Sequence, residues 1–149
     1  MAARGLTTGE IALGRSIYGE AIDWARVELR RRRWWPLQTK GVIMAPMGHI
    51  HIHPSADFWS GDFAGERLAL QGLLIHELCH IWQWQQGIFL PLRRHPFCRY
   101  AYVLEPGKPF ARYGLEQQAE IARHAFLLMH GACLPDRPPL AAYRAVLPF

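Results

Sequence analysis

Cysteine is scarce in this chain of 149 residues: Cys79, Cys98 and Cys133 are an odd number at wide spacing. They supply neither a disulfide framework nor a Cys-x-x-Cys metal site, and reduced thiols in a cytoplasmic protein are the expected state. Long hydrophobic runs are also missing. No apolar stretch approaches the roughly 20 residues of a membrane span. Arg4 near the N-terminus is not followed by an apolar segment, so no Sec-type signal is visible. The expected location is the cytoplasm, and a protein exported by a specialised apparatus has the same appearance. There are no internal repeats and no low-complexity tract. Half the residues are hydrophobic and 12% aromatic, which excludes disorder. One domain covering residues 1–149 is expected, long enough to bury a proper core.

What the chain does contain is His76-Glu77-Leu78-Cys79-His80 inside an apolar-periodic segment, residues 68–86. On a helix, residues four apart share a face, so His76 and His80 present their imidazoles to one ion. Glu77 stands beside them, where a carboxylate takes a proton from water. Leu68, Leu70, Leu73, Leu74, Ile75, Leu78, Ile81 and Trp82 cover more than half of the helix circumference. A helix that is apolar nearly all round is buried, and polar groups within it need partners.

A catalytic zinc site needs a third protein ligand and an open position. Gln83 and Gln86 stand where an extended His-Glu-x-x-His-x-x-Gly-x-x-His pattern would place Gly and His, so the third ligand comes from elsewhere. Residues 113–130 form the candidate second helix. Leu115, Ala119, Ala122, Phe126 and Met129 make its stripe at spacings of three and four, and Gly131 ends it as a C-terminal cap. Glu116 and Glu120 lie beside that stripe, one turn apart. Glu116 is the favoured ligand, and Glu120 the carboxylate that accepts a hydrogen bond from a ligand histidine.

Thr7-x-x-Glu10 reads as a capping box opening a helix to about residue 21. Residues 27–33 read as a strand, and 41–53 as a strand or hairpin turning near Pro46-Met47-Gly48. Residues 54–65 are a loop, 89–110 a long proline-containing connection, and the tail after Cys133 is irregular except for a helical turn at 141–145. The fold class is therefore α+β. Residues 50–53 are the candidate strand edge for a peptide to add to. His49, His51 and His53 alternate onto one face, expected to meet solvent while Ile50 and Ile52 are buried; a metal role for the row is the lesser reading. Arg30 to Arg33, with Trp34 and Trp35, is the main basic cluster in a chain of net charge +5. A solvated strand end or a docking surface for an acidic partner is expected there, rather than nucleic acid.

The segments His76-Glu77-Leu78-Cys79-His80-Ile81-Trp82-Gln83 and Tyr113-Gly114-Leu115-Glu116-Gln117-Gln118-Ala119-Glu120 resemble the small bacterial zincin-like domains labelled Vgr-related, found near type VI secretion or phage-like injection components. Leu6-Thr7-Thr8-Gly9-Glu10-Ile11-Ala12-Leu13 and Arg33-Trp34-Trp35-Pro36 extend the resemblance over most of the chain. Cys79 departs from it, standing where these domains more often carry Thr. Such domains resemble gluzincins, in which a Glu on a downstream helix completes the site. The resemblance implies a zincin-like fold; the elements themselves read as the motif helix and second ligand helix packed on a small antiparallel sheet.

The expected function is a zinc-dependent metallopeptidase. His76, His80 and Glu116 hold Zn2+, Glu77 is the general base, and Tyr102 or Tyr113, the latter closer in sequence to Glu116, is the oxyanion donor. The expected substrate is a peptide or protein. The alternative is a non-catalytic zinc-binding accessory or adaptor of a secretion or injection apparatus.

Overall fold

The computed structural model describes residues 3–93 and 99–149. Cys98 lies outside them. The first strand, β1 (Ala3–Gly5), leads into helix α1 (Thr8–Tyr18). The capping box is present: Thr7 Oγ1 accepts from the Glu10 amide and the Glu10 carboxylate accepts from the Thr7 amide. The helix stops at Tyr18, short of residue 21, because Gly19 turns the backbone to φ 54°. Glu10 is fully buried yet saturated. It receives two bonds from the Arg4 guanidinium, at 2.7 and 2.9 Å, and one from the Phe63 amide. A buried carboxylate so partnered fastens β1, α1 and the loop before the motif helix to one another.

Strands β2 (Glu28–Arg30), β3 (Ile43–Met44) and β4 (His49–Ile52) complete a four-stranded sheet of order β1-β2-β4-β3. The expected hairpin exists. Ile43 pairs with Ile52 and Met44 with His51, and Gly48 makes the turn at φ 84°. A Cβ there would also stand 2.9 Å from the Trp84 indole. The sheet is mixed, which corrects the antiparallel expectation: β2 and β4 run parallel, with Leu29 opposite Ile50. The chain reverses twice between them, once in the link to β3 and once in the hairpin, so β4 returns in the direction of β2. Slotted between β2 and β3, β4 is an interior strand. The peptide-adding edge expected at residues 50–53 is therefore already paired on both sides, and β3 occupies the edge next to it.

Period-two alternation sorts the faces. Leu29, Ile50 and Ile52 are buried on the core side. Glu28, Arg30, His49 and His51 share the other face through the pairs Glu28–His49 and Arg30–His51. That face is not simply solvated, as the alternation suggests, because His51 is only 4% exposed. The link between β2 and β3 returns over it, and Gln38 donates to the His51 carbonyl. His53 lies past the strand end, where its Nδ1 accepts from the Ser55 amide.

Helix α2 (Leu68–Gln85) carries the motif, and the one-turn helix α3 (Leu90–Arg93) follows in what reads as irregular connection. Helix α4 (Leu115–Met129) packs along α2, with α5 (Leu140–Val146) against α4. Small residues bring α2 and α4 together. Ala119, Ala122 and Ala125 are fully buried, and a Cβ at Gly72 would stand 3.0 Å from Leu127 Cδ2. The close approach places the polar groups of both helices in a common dry layer. No helix among the described residues is long and apolar enough to cross a membrane.

Candidate metal centre

Burial of α2 extends to its polar residues. His76, Glu77, His80 and Gln83 are each 6% exposed or less, and Glu116 on α4 is 1% exposed. So many polar groups in a dry layer need mutual partners, and the arrangement of those partners decides the chemistry.

Gln83 defines the orientation of His80. Its amide nitrogen donates to the Leu115 carbonyl at 3.0 Å and to Gln118 Oε1 at 2.9 Å. Both amide protons are thereby used, so Gln83 Oε1 faces His80 Nδ1, 2.8 Å away, and Nδ1 is the donor. His80 Nε2 then carries its lone pair inward. On His76, Nδ1 donates to Glu120 Oε2 at 3.2 Å, and Nε2 lies 3.3 Å from Glu116 Oε2. Arg123 holds Glu120 from the other side at 3.3 Å. Carboxylate and carboxamide partners behind imidazoles fix ligand tautomers in this way at metal sites.

The inward atoms of His76, His80 and Glu116 all lie within 4.8 Å of one another. His80 Nε2 and Glu116 Oε1 are 2.9 Å apart, but the geometry is not that of a hydrogen bond, and His80 Nε2 is a buried nitrogen without a hydrogen-bond partner among the described residues. Two imidazole nitrogens and a carboxylate gathered at one point fit a divalent cation of borderline character. Among the described residues, no other group of ligand-type side chains converges in this way, so the histidine row of β4 forms no second centre there.

Electrostatics favour a cation in the same place. Burial alone would lower the pKa of His76. Hydrogen bonds to Glu116 and Glu120, with the charge of Glu77 nearby, instead raise it to about 10. Glu120 is moved down from the usual carboxylate range: burial opposes this, but the hydrogen bond to His76 and the charges of His76, Arg123 and His124 together outweigh it. At neutral pH the cluster therefore keeps a proton that an incoming cation displaces. Metal affinity is expected to climb about tenfold per pH unit between pH 6 and 8, with about one proton released per ion. Calorimetry in buffers of different ionisation enthalpy reads both quantities. A flat affinity would show that His76 carries no displaceable proton.

The structure brings His76, Glu77, His80, Glu116 and Glu120 together, and the hydroxyls of the two expected tyrosines have other partners. Tyr113 is buried, and its hydroxyl accepts from the Glu105 amide at 3.0 Å. The Tyr102 hydroxyl is shared between His124, at 2.6 Å, and Tyr143, at 2.7 Å. The tyrosine at the cluster is Tyr100, half-exposed, its ring stacked on His76 with centroids 6.0 Å apart and planes 17° apart. Neither helical spacing nor the motif points to it, because it stands on an irregular connection. Gln83 was legible in principle: a glutamine one turn beyond His80 in an all-round apolar helix needs a buried partner. Cys79 is buried beside Tyr18, and burial raises its thiol pKa.

No family model matches the chain. The type VI secretion system spike protein VgrG2b of Pseudomonas aeruginosa is 40% identical over 134 residues, 85% of this chain. The chain spans only 13% of that spike protein's length. The solved effector domain of Pseudomonas aeruginosa VgrG2b superposes with a TM-score of 0.79 at 35% identity, over 97% of this chain and 81% of that domain.

Proposed function

This chain belongs to the family of the VgrG2b effector domain, and from that premise we propose that it is a zinc-dependent metallopeptidase acting as an effector of a type VI secretion apparatus. The observation that carries the reading is the convergence of His76, His80 and Glu116, each histidine oriented from behind, with Glu77 buried next to His76 on the same helix. The zincin-like assignment rests on the same arrangement, one ligand pair on α2 and a carboxylate from a downstream helix.

His76, His80 and Glu116 are the residues that would hold zinc. A zinc ion there supplies Lewis acidity, lowering the pKa of water toward about 7 and polarising a carbonyl. Glu77 carries the proton from the attacking water to the leaving amide nitrogen. Glu120 and Gln83 keep both imidazoles in the tautomer that directs Nε2 inward. Tyr100, lying over His76, takes the place of Tyr113 and Tyr102 as the hydroxyl-bearing residue for the developing oxyanion.

The purified protein is expected to contain about one zinc per chain and to cleave unfolded protein substrates. Removal of the metal with a chelator should abolish cleavage, and added zinc should restore it. A zinc-loaded protein that cleaves no member of a broad peptide library would favour the adaptor reading instead. A protein that binds no zinc even after reconstitution would sink both.

A further inference from the structure

Five of the large hydrophobic side chains left in contact with solvent fall in one short stretch: Trp34, Trp35, Leu37, Val42 and Met47, with Leu37 71% exposed. They belong to the link and hairpin between β2 and β4, and Trp34 and Met47 line the sheet face away from the core. This stretch is not a loose loop that failed to pack. Gln38, only 3% exposed, is its strut. It accepts from the Trp34 amide at 2.7 Å and donates to the carbonyls of Val42, at 2.9 Å, and His51, at 3.0 Å. Arg33 closes the same turn onto the Pro36 carbonyl. The link that carries these exposed apolar side chains is thus held in place by a hydrogen-bonded frame, and large apolar side chains exposed on an ordered segment mark a candidate binding face.

Directly beside them lies a cationic cavity of about 450 Å³, lined by Arg30, Arg32, Arg33, Trp34, Met47, His49 and His51. Arg31 takes no part, since its guanidinium packs over Trp59. The floor of the cavity includes His51, 4% exposed, whose ring is hydrogen-bonded to the Arg32 backbone while its Nδ1 has no partner among the described residues. The only acidic group on this face of β2 and β4 is Glu28, paired to Arg30 at 2.9 Å and 4.0 Å from His49. Burial and the charges of Arg30 and Arg32 hold His51 neutral, at about 4. An anion in the cavity meets guanidinium charge in excess of the one carboxylate on this face.

We propose that residues 30–51 form a docking face for an anionic phospholipid surface. A lipid phosphate enters the cavity beside the guanidinium groups of Arg30, Arg32 and Arg33, and Trp34, Trp35, Leu37 and Val42 sit in the adjoining interfacial layer. A bilayer supplies both chemistries in the order the protein displays them: phosphate at the headgroup level, apolar chain immediately beneath. Tryptophan favours that boundary, and anchoring generally needs an apolar and a basic signal together. A small phosphate ligand would leave Trp35, Leu37 and Val42 without purpose, and an acidic protein surface offers no continuous apolar layer behind its charges.

The test is flotation of the full chain with phosphatidylcholine vesicles and with vesicles carrying phosphatidylglycerol, at physiological salt. Binding is expected to be at least about tenfold stronger to the anionic vesicles, with a blue shift of tryptophan emission. Leu37→Ser with Trp35→Ser, and separately Arg32→Gln with Arg33→Gln, should each weaken binding about tenfold or more. The charge-matched control Arg112→Gln with Arg144→Gln should bind as the parent does, and circular dichroism checks that each variant is folded. The proposal is overturned if neither vesicle binds, or if the Ser pair binds as the parent does, which would indicate adsorption by net charge. It is equally overturned if loss of Leu37 abolishes self-association in sedimentation while leaving vesicle binding intact, which would make this face a contact between copies. Zinc content and peptide cleavage are read on the same variants and stay unchanged, so failure of this inference is separable from failure of the metal site.

Discussion

Glu77→Gln is expected to lower peptide cleavage by about 10²–10⁴-fold while the protein still binds one zinc per chain. The substitution preserves side-chain volume at a position only 6% exposed, so α2 keeps its packing. It removes the group that accepts a proton from the attacking water, since a carboxamide has no basicity near neutral pH. It also removes a negative charge that holds up the His76 pKa. The metal-free variant should therefore release the His76 proton at lower pH than the parent. That gives a readout independent of turnover: the pH at which zinc affinity levels off moves down. Full turnover in the zinc-loaded variant would remove Glu77 from the proton-transfer role. A parent protein that binds zinc tightly and hydrolyses nothing, with Glu77→Gln indistinguishable from it, is the pattern of the adaptor reading.

The core of this site is legible in the sequence because helical geometry is local. Four-residue spacing alone puts His76 and His80 on one face, and the apolar surroundings predict their burial. The stripe of α4 similarly predicts which of its faces meets α2, and Glu116 and Glu120 adjoin that stripe. What escapes is what local periodicity does not carry. Tyr100 reaches His76 from an irregular connection, whereas Tyr113, close in sequence to Glu116, is turned to the Glu105 amide. The direction of β4 depends on how many reversals separate it from β2, a long-range property that alternation cannot report. For the same reason residues 50–53 read as an available edge although β3 covers them. His51 alternates like a solvent-facing residue, and only the folded link over it makes it buried. The fold class follows from counting elements; the sheet order does not.

Separate substitution of the two α4 carboxylates should split their effects. Glu116→Ala is expected to cut zinc affinity roughly 10²–10³-fold or more: the 10–16 kcal/mol typical of a tight four-ligand zinc site is about 3–4 kcal/mol per ligand. Glu120→Ala is expected to cost about 10–100-fold, the usual effect of removing a group that orients a ligand. The geometry assigns the roles. Glu116 presents its oxygens to the inward nitrogens of both histidines, 3.3 Å from His76 Nε2 and 2.9 Å from His80 Nε2. Glu120 instead meets the rear nitrogen of His76 and is tied to Arg123. Because the two ranges meet at a hundredfold, affinity is paired with the absorption spectrum of the cobalt-substituted protein. Glu120→Ala should retain the intense bands of a low-coordinate site with a mobile His76 ring, and Glu116→Ala should lose them as water replaces the carboxylate. The reverse pattern would make Glu120 the third ligand. That outcome would require the His76 ring to flip and Glu120 to leave Arg123, since in the present arrangement its carboxylate faces Nδ1 and not the point on which Nε2 of both histidines converges.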